Sequence, residues 1–338
     1  MVKCLRIEKE YAAIHIDRLR DINGIDQSYE IDRDERFVYV PLSKVLSACR
    51  GDYDIVERNC KKKEERPTTL KEYLLSKGYK TYVRAFDIIG EVAVVEIPEG
   101  IAEKDVAEGI MSIYKGIKAV YSKASGREGD FRLYDLKLIG GTEVDVTEHH
   151  ENGIRMLVNV RKVFFSPRAA SERKYVSNYI SALSGKKVMV FFAGIGPYCL
   201  VGAKENPDKQ FIGIELNPDA FELFQKNILL NNLGNVTAVL GDVKEKARDF
   251  AGQNFDYVVM PLPKIASTFL EEAVSVLKDK GYVILYCFAP VNDYQRQIVK
   301  YIHDNLHSPK KVEFVELKEI DSYSPTESKY RVILRITK

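Results

Sequence analysis

The sequence predicts an α/β protein in which a doubly wound parallel sheet follows two smaller α+β domains. Three observations support this fold class. The chain has 338 residues, which is too long for one ordinary hydrophobic core. Strand and helix patterns alternate strictly only from about residue 162 onward, as parallel βαβ units require. Before that point strands and helices follow an α+β order, which favours antiparallel or mixed sheets.

The composition excludes several classes of protein. Hydrophobic residues make up 45% of the chain, so the chain can bury a core and is not disordered. The formal net charge of +2 excludes a simple polycation. The amino-terminal segment lacks the apolar core of a signal peptide, and no window reaches the roughly 18 consecutive apolar residues of a membrane span. We therefore expect a cytoplasmic protein without membrane contact, and we expect it to act as a monomer.

The cysteines are scattered along the chain without C-x-x-C spacing, which argues against a zinc site. They are Cys4, Cys49, Cys60, Cys199 and Cys287. Reduced thiols in a protein without a metal are the plain interpretation. Two of them could nevertheless pair if the protein came from a hyperthermophilic archaeon.

The first predicted domain covers residues 1–60. It begins with a strand at Lys3 to Ile7. A helix follows, because apolar residues recur at helical spacing, and Asn23-Gly24 ends that helix. Phe37 to Pro41 has the pattern of the next strand. These elements indicate a small α+β domain.

A linker and a second small domain follow. The segment from Cys60 to Thr69 combines a charge run, a proline and two threonines, which is typical of an exposed linker. We assign residues 61–77 to this linker and a short helix, and residues 78–161 to the second domain. Two strands separated by a glycine at Phe86 to Pro98, and period-two alternation at Ile154 to Val160, predict its sheet.

Residues 162–338 form the third predicted domain. Its predicted strands are Lys187 to Phe192, Gln210 to Glu215, Val236 to Leu240, Tyr257 to Met260 and Tyr282 to Phe288. Its predicted helices are Glu172 to Leu183, Pro218 to Leu230 and Ile265 to Leu277. This alternation predicts a Rossmann-like sheet, in which ligands bind at the carboxyl ends of the strands.

Four loops at those carboxyl ends predict a cofactor pocket. They read FFAGIGPY, IELNP, GDV and MPLP. Gly194 and Gly196 let the backbone approach a ligand closely, although a tight strand-to-helix turn would need the same glycines. Glu215 can accept hydrogen bonds from both hydroxyls of a ribose, and Asp242 offers an acceptor for an adenine amino group. This spacing favours S-adenosylmethionine over NAD. The predicted cofactor contacts are Phe192, Ala193, Gly194, Gly196, Glu215, Leu216, Asp242, Val243 and Pro263.

A series of motifs carries a resemblance to a known family. In order, they read FFSPRAASERKYV, FFAGIGPY, IELNPDAFELFQKNILLNN, GDVKE and MPLPKIASTFLEEA, and FDIIGEVAVVEIP and FRLYDLKLIGG extend the similarity upstream. The chain resembles the archaeal and eukaryotic tRNA (guanine 37, N1)-methyltransferases from about Phe86 to the carboxyl terminus. The resemblance implies a methyltransferase that uses S-adenosylmethionine and modifies N1 of guanine 37. It also implies that the second domain binds RNA, that the enzyme contacts the anticodon loop of tRNA, and that the first domain contacts the tRNA elbow.

The resemblance further implies roles for charged residues. Glu172 would be the general base that takes the proton from guanine N1, and Arg132 would stabilise negative charge on guanine O6. Arg168 and Arg173, which flank Glu172, would hold phosphate or position the base. Other interpretations stay open, because a glutamate in the first turn also suits the helix dipole and each arginine could form an ordinary ion pair.

Two positions depart from the family pattern. Pro261 stands where family members commonly have asparagine, and Val190 replaces an acidic residue often found before the glycine turn. Because that asparagine could hydrogen-bond to the guanine edge, the resemblance implies that Pro261 lies at the substrate, and the two prolines fix the backbone at the mouth of the fourth strand. These changes resemble the archaeal branch that also methylates carbon 7 of 4-demethylwyosine in wyosine biosynthesis. Without the asparagine, the pocket would admit a larger ring.

Two other functions stay open at the level of the sequence. Wybutosine-pathway aminocarboxypropyl transferases share the scaffold and the cofactor, and a non-catalytic RNA-binding protein would retain only the fold. The presence of Arg132 together with Glu172 favours the methyltransferase, because a binding module needs neither a base nor an oxyanion donor.

Overall fold

The computed structural model describes residues 1–43, 54–63, 67–128, 133–308 and 311–338, with the backbone alone at residues 125–128. The chain divides into two compact units, Met1–Thr68 and Thr69–Lys338. No helix in these described ranges is long and apolar enough to cross a membrane. The finer division into the segments assigned from the sequence stays a prediction.

The first unit contains an antiparallel sheet and a helix. Its described elements are β1 (Val2–Glu8), α1 (Ala12–Asp21), β2 (Asp32–Arg33), β3 (Phe37–Pro41) and β4 (Ile55–Arg58). The strands pair in the order β2-β3-β1-β4. Ile16 of the helix is buried in one cluster with Ile7 and Val38 of the sheet. This packing matches the α+β domain that the sequence predicts.

The segment that reads as a linker is partly paired within the first unit. Lys62 forms an isolated β-bridge with Tyr29. Cys60 is buried, and its sulfur lies 3.2 Å from that of Cys4, with both thiols free. A run of charged residues therefore does not by itself predict a solvated linker, because its backbone N–H and C=O groups can still form hydrogen bonds beside a sheet.

The second unit begins with a capped helix and a mixed sheet. The Thr69 hydroxyl accepts the N–H of Glu72 and the Glu72 carboxylate accepts the N–H of Thr69, which forms a capping box. The elements here are α2 (Leu70–Ser76), β5 (Phe86–Ile89), β6 (Val92–Val95), α3 (Glu103–Ile113), β7 (Ala119–Glu128) and β8 (Leu133–Gly141). The strands pair in the order β5-β6-β7-β8, and only β6 and β7 are parallel. The expectation of an antiparallel or mixed sheet is confirmed.

A hairpin connects this sheet to the larger one. Its strands are β9 (Thr147–Glu151) and β10 (Ile154–Val158), and both turn residues between them, Asn152 and Gly153, have positive φ. Asn-Gly suits the type I′ hairpin turn that the sequence indicates. Alternate residues of β10 are buried in the core of the larger sheet. The hairpin therefore packs with the region that follows it in the chain.

The remainder of the second unit contains the doubly wound sheet. Its described strands are β11 (Lys187–Phe191), β12 (Gln210–Glu215), β13 (Val236–Leu240), β14 (Phe255–Met260), β15 (Leu277–Pro290), β16 (Lys311–Ser322) and β17 (Glu327–Thr337). Its described helices are α4 (Ala170–Ser181), α5 (Pro197–Glu205), α6 (Pro218–Leu230), α7 (Val243–Asp249), α8 (Leu270–Val276) and α9 (Tyr294–Asn305).

The strand order sets the position of the site. The order is β13-β12-β11-β14-β15-β17-β16, with parallel pairing from β13 to β15 and antiparallel pairing in the last two strands. Apolar side chains fill a core on each face. The order reverses between β11 and β14, and ligands of open sheets bind at such a switch point. The fold class is confirmed, with an added carboxyl-terminal antiparallel pair that the sequence pattern did not indicate.

Replacement of Gly196 by alanine should destabilise the second unit. Gly196 has φ of +88°, and a Cβ built there would lie 2.1 Å from the ring of Phe224. We expect Gly196→Ala to cost about 2 kcal/mol or more in the free energy of unfolding, measured by denaturant titration. Gly234→Ala is the matched control, since a Cβ there meets nothing within 4 Å. Equal stability of the two variants would contradict the packing described.

Candidate active site

A cavity of about 390 Å³ opens at the carboxyl ends of the parallel strands. Its volume lies within the range of about 300–1,000 Å³ that is usual for small-molecule sites. Six of the predicted cofactor residues line it, namely Phe192, Gly194, Glu215, Leu216, Asp242 and Val243. Ala193 and Gly196 belong to the glycine turn beneath it, where Ala193 is buried. Residues of all four predicted loops therefore line the cavity, since Leu262 belongs to the fourth.

The turn after β11 has an unusual backbone. Phe192 adopts φ of +55°, which is rare for a residue with a bulky side chain, and its ring lies 4.9 Å from that of Phe269. Gly194 and Gly196 also have positive φ. Strained conformations of this kind concentrate at binding sites. The turn exposes its backbone to the cavity while Phe192 and Phe269 form an apolar wall of the same cavity.

The Glu215 carboxylate holds two loops together. Its Oε2 accepts the N–H of Gly194 at 2.6 Å, and its Oε1 accepts the N–H of Asn217 at 2.8 Å. Burial raises the pKa of Glu215 above its ordinary value, and these two amides act against that rise. Because a carboxylate has about four acceptor sites, Glu215 can still accept ribose hydroxyls.

Two helix caps shape the same cavity. Asp242 caps α7, where its Oδ1 accepts the N–H of Lys244 at 2.7 Å. Asn217 caps α6, and its Nδ2 donates to the carbonyl of Lys162 at 2.8 Å. Asn217 lines the cavity but was absent from the predicted contacts, although an asparagine before proline is a recognisable start of a helix. It ties the segment that precedes α4 to the cofactor cavity.

The loop after β14 presents an apolar side chain to the cavity. Leu262, which lies between Pro261 and Pro263, lines the cavity, and its carbonyl accepts the N–H of Ala266 at 3.0 Å. Pro263 is not among the described lining residues, and neither is Pro261. The two prolines constrain the backbone that orients Leu262. Cofactor contact by Pro263 and substrate contact by Pro261 stay predictions.

The two predicted substrate-binding arginines differ in their surroundings. Arg168 is exposed and donates its Nε to Asp87 at 2.6 Å. Arg173 is buried, pairs with both oxygens of Glu151 at 2.5 Å, and donates to the carbonyl of Ser166 at 3.0 Å. The geometry of Arg173 favours the ion-pair interpretation that the sequence left open. Arg168 keeps a surface position from which a guanidinium can meet phosphate.

Glu172 lies in the first turn of α4, but its side chain turns into the protein and is only 12% exposed. Its Oε2 accepts the Nη1 of Arg331 at 2.5 Å and the hydroxyl of Tyr286 at 3.1 Å. A favourable helix dipole alone does not account for this burial. Neither partner was predicted from the sequence. Glu172 is not among the described residues that line the cofactor cavity.

A second, smaller cavity of about 30 Å³ lies beside the first. Phe164 borders both cavities, and Tyr134 and Lys123 line the smaller one. Arg132, the predicted oxyanion donor, lies outside the described residues. Within the described ranges, no group of three or more His, Cys, Asp or Glu side chains is arranged to hold a metal ion.

A doubly wound sheet with a half-buried carboxylate at its second strand end defines a class of α/β proteins that bind a nucleoside-bearing cofactor. Residues 147–315 match the TRM5/TYW2 methyltransferase domain, residues 68–144 the TYW2 N-terminal domain, and residues 4–48 the tRNA methyltransferase 5 N-terminal domain. The chain belongs to the TRM5/TYW2 methyltransferase family. The resemblance seen in its motifs is confirmed.

Proteins of named function are similar to most of the chain. The tRNA (guanine(37)-N(1))-methyltransferase Trm5b of Pyrococcus abyssi is 32% identical over 325 residues, which cover 95% of this chain and 94% of that protein. The tRNA (guanine(37)-N(1))/4-demethylwyosine(37)-methyltransferase Taw22 of Nanoarchaeum equitans is 28% identical, with coverage of 75% and 99%. The solved complex of aTrm5 and tRNALeu matches with a TM-score of 0.78 and 25% identity, covering 99% of each chain.

Replacement of Glu215 by glutamine should weaken the binding of S-adenosylmethionine. A hydrogen bond to a charged group contributes about 1.5–3 kcal/mol, so we expect the dissociation constant to rise by about 10-fold or more. Isothermal titration calorimetry measures it directly. Glu222→Gln removes an exposed carboxylate from α6 and serves as the control. Unchanged affinity in a folded Glu215→Gln protein would exclude Glu215 as a ribose acceptor.

Proposed function

We propose that the protein transfers a methyl group from S-adenosylmethionine to N1 of guanine 37 in tRNA. The observation that carries this proposal is the cavity at the switch point, which combines the Glu215 carboxylate with the open backbone of Gly194 in a chain of this family. The Pyrococcus abyssi relative bears the name of this reaction. The similar solved structure of aTrm5 contains tRNALeu, which supports tRNA as the substrate.

The described residues around the cavity suit this cofactor. Glu215 suits the ribose, and the apolar surfaces of Phe192 and Leu262 suit the adenine ring. When bound, S-adenosylmethionine supplies a methyl group that its sulfonium sulfur already activates. The protein must therefore align guanine N1 with that methyl group and exclude water from the space between them.

In this proposal the target guanine enters beside Phe164, the residue common to both cavities. A base in the anticodon loop can leave its stack and meet aromatic side chains, such as those of Phe164 and Tyr134. Arg132 would donate to guanine O6, which gains negative charge as N1 loses its proton. Because Arg132 directly precedes Leu133 and Tyr134 in the sequence, and both of these line the smaller cavity, the assignment is consistent with this entry.

Glu172 would take the proton from guanine N1. A general base must be ionised and fixed in direction, and two donors bonded to Oε2 hold this carboxylate in place. Both bonds use Oε2, and in the described part of the chain Oε1 accepts no hydrogen bond. We assign proton acceptance to Oε1.

The finer features of tRNA binding also belong to this proposal. Arg168, which is exposed beside Asp87, would contact a phosphate of the anticodon loop. The first unit, which contains the match to the tRNA methyltransferase 5 N-terminal domain, would contact the elbow. Action as a cytoplasmic monomer stays a prediction from the sequence.

Glu172→Gln should lower the single-turnover rate of methylation by about 10²- to 10⁴-fold, the usual contribution of a general base. Glutamine retains the shape and an acceptor for Arg331 but has no basic oxygen. We expect cofactor affinity to change less than threefold, because Glu172 lies outside the cofactor cavity. Rapid-quench assays with transcribed tRNA and labelled cofactor measure the rate, and calorimetry measures the affinity.

Glu205→Gln provides the control for this variant. Glu205 pairs with Lys174 of the same helix α4, but the pair is partly exposed. We expect this change to leave the rate within about twofold, since exposed ion pairs contribute little. If folded Glu172→Gln methylated tRNA as fast as the control, Glu172 would not be the base.

A second candidate activity is methylation of carbon 7 of 4-demethylwyosine. The observation that favours it is Pro261, which replaces a side chain able to bind the edge of guanine, and the Nanoarchaeum relative bears both activities in its name. We expect labelled methyl on the tricyclic base when tRNA carrying it is incubated with enzyme and cofactor. Mass spectrometry would separate a methyl product from an aminocarboxypropyl product, and an unlabelled tricycle would remove this second activity.

A further inference from the structure

A cluster of buried and half-buried charged side chains surrounds Glu172. Arg331 of β17 donates Nη1 to Glu172 at 2.5 Å and Nε to Glu316 of β16 at 2.8 Å. The hydroxyl of Tyr175 donates to the other oxygen of Glu316, and its ring stacks on the Arg331 guanidinium at 3.5 Å. One guanidinium is therefore shared between two carboxylates.

This sharing leaves an unbalanced charge. With both carboxylates ionised, one positive and two negative charges give the cluster a net charge of −1. Arg331 itself is almost fully buried. Burial disfavours its charge, but Glu172 and Glu316 more than compensate and raise the pKa of Arg331 above its ordinary value. The positive charge is thus fixed, so any proton that enters the cluster goes to a carboxylate.

The other titratable groups around Glu172 do not take up this proton. Burial raises the pKa of Tyr286 well above its ordinary value and raises that of Tyr198 of α5 to about 12. Burial and Glu316 likewise raise the pKa of Tyr175. The Lys329 ammonium lies 4.7 Å from the centre of the Tyr286 ring. Arg173 of α4 already pairs with Glu151.

We propose that Glu316 is a positioning residue for catalysis, which draws part of the Arg331 charge away from Glu172 so that Glu172 remains basic enough to accept the guanine N1 proton. The proposal rests on the proposed role of Glu172. Transfer of the proton from N1 to Oε1 of Glu172 leaves the electron pair on N1 and brings the cluster from −1 to neutral. Neutralising a buried net charge favours this transfer.

The register of the sheet supports a built arrangement. Arg331 stands directly opposite Tyr286 in the β15–β17 ladder, so the two donors to Glu172 lie side by side on one face of the sheet. Stacking on Tyr175 fixes the plane of the guanidinium, and a planar fork can then serve two carboxylates in two fixed directions.

The test compares Glu316→Gln with Glu313→Gln in single-turnover methylation over a range of pH. With its amide oxygen toward Arg331, glutamine at 316 still accepts from the guanidinium, and its Nε2 faces the Tyr175 hydroxyl oxygen, to which it can donate, so the change removes the negative charge and keeps the shape. Arg331 then acts on Glu172 alone. We expect the plateau rate to fall about 10-fold and the acid limb of the pH–rate profile to move to lower pH, because the whole Arg331 charge then faces a single carboxylate.

Glu313 is the matched control, because it lies on the same strand β16, is half-buried to the same extent as Glu316, and pairs with Arg335 of β17 instead of Arg331. Its replacement should leave both the plateau and the acid limb unchanged. A Glu316→Gln profile that coincides with that of the unmodified protein, while Glu172→Gln is inactive, would overturn this inference and leave the base assignment standing.

Full activity of Glu172→Gln would instead remove the base assignment itself, and the inference with it. A Glu316→Gln protein with a lower rate but an unmoved acid limb would also overturn the inference, because a merely structural role changes the rate without changing the pH dependence.

Discussion

The Glu215 carboxylate is the interaction on which the cofactor cavity depends. It joins the turn after β11 to the turn after β12 through the N–H groups of Gly194 and Asn217. Burying a carboxylate is costly unless its acceptors are used, and these amides satisfy one acceptor site on each oxygen. The hydrogen bond from the Gly194 N–H to Glu215 helps to fix this turn, in which Phe192 and Gly194 both have positive φ. The Glu215 carboxylate therefore bonds two of the turns that line the cavity to each other.

The sequence predicts the positions of residues that follow from strand ends. Glu215 and Asp242 end or follow consecutive strands, and parallel strands place their carboxyl ends at one edge. Asp242 also caps α7 with its Oδ1, a role that the strand-end pattern did not indicate, and its contact with adenine stays a prediction. The spacing of residues predicts where in the fold a side chain lies, but it does not determine from which of several nearby donors that side chain accepts a hydrogen bond.

Long-range partners could not be predicted in this way. Arg331 meets Glu172 across 159 positions of sequence, and the pairing depends on the register of an antiparallel strand whose length no local pattern determines. The sequence predicts β15 only from Tyr282 to Phe288, whereas the strand runs from Leu277 to Pro290. The edge strand β16 also escaped prediction, since its residues are largely polar and half-exposed. The sequence left two interpretations of Arg173 open, substrate binding and an ordinary ion pair, and only the position of Glu151 beside it favours the ion pair.

In the proposed mechanism the antiparallel strands at the carboxyl terminus contribute to the chemistry and not only to the edge of the sheet. A glutamate paired with a single buried arginine would be held firmly but would be a weak base, since the cation favours its ionised form. A glutamate without a cation would be hard to keep ionised in the same surroundings. The observed arrangement lies between these two cases, because Glu172 and Glu316 share Arg331. Oε2 of Glu172 stays bonded to the guanidinium, and the negative charge of Glu316 offsets part of the positive charge of Arg331. Strands β16 and β17 supply the two groups, Glu316 and Arg331, so the proposed position of the base depends on the pairing of these last two strands of the chain.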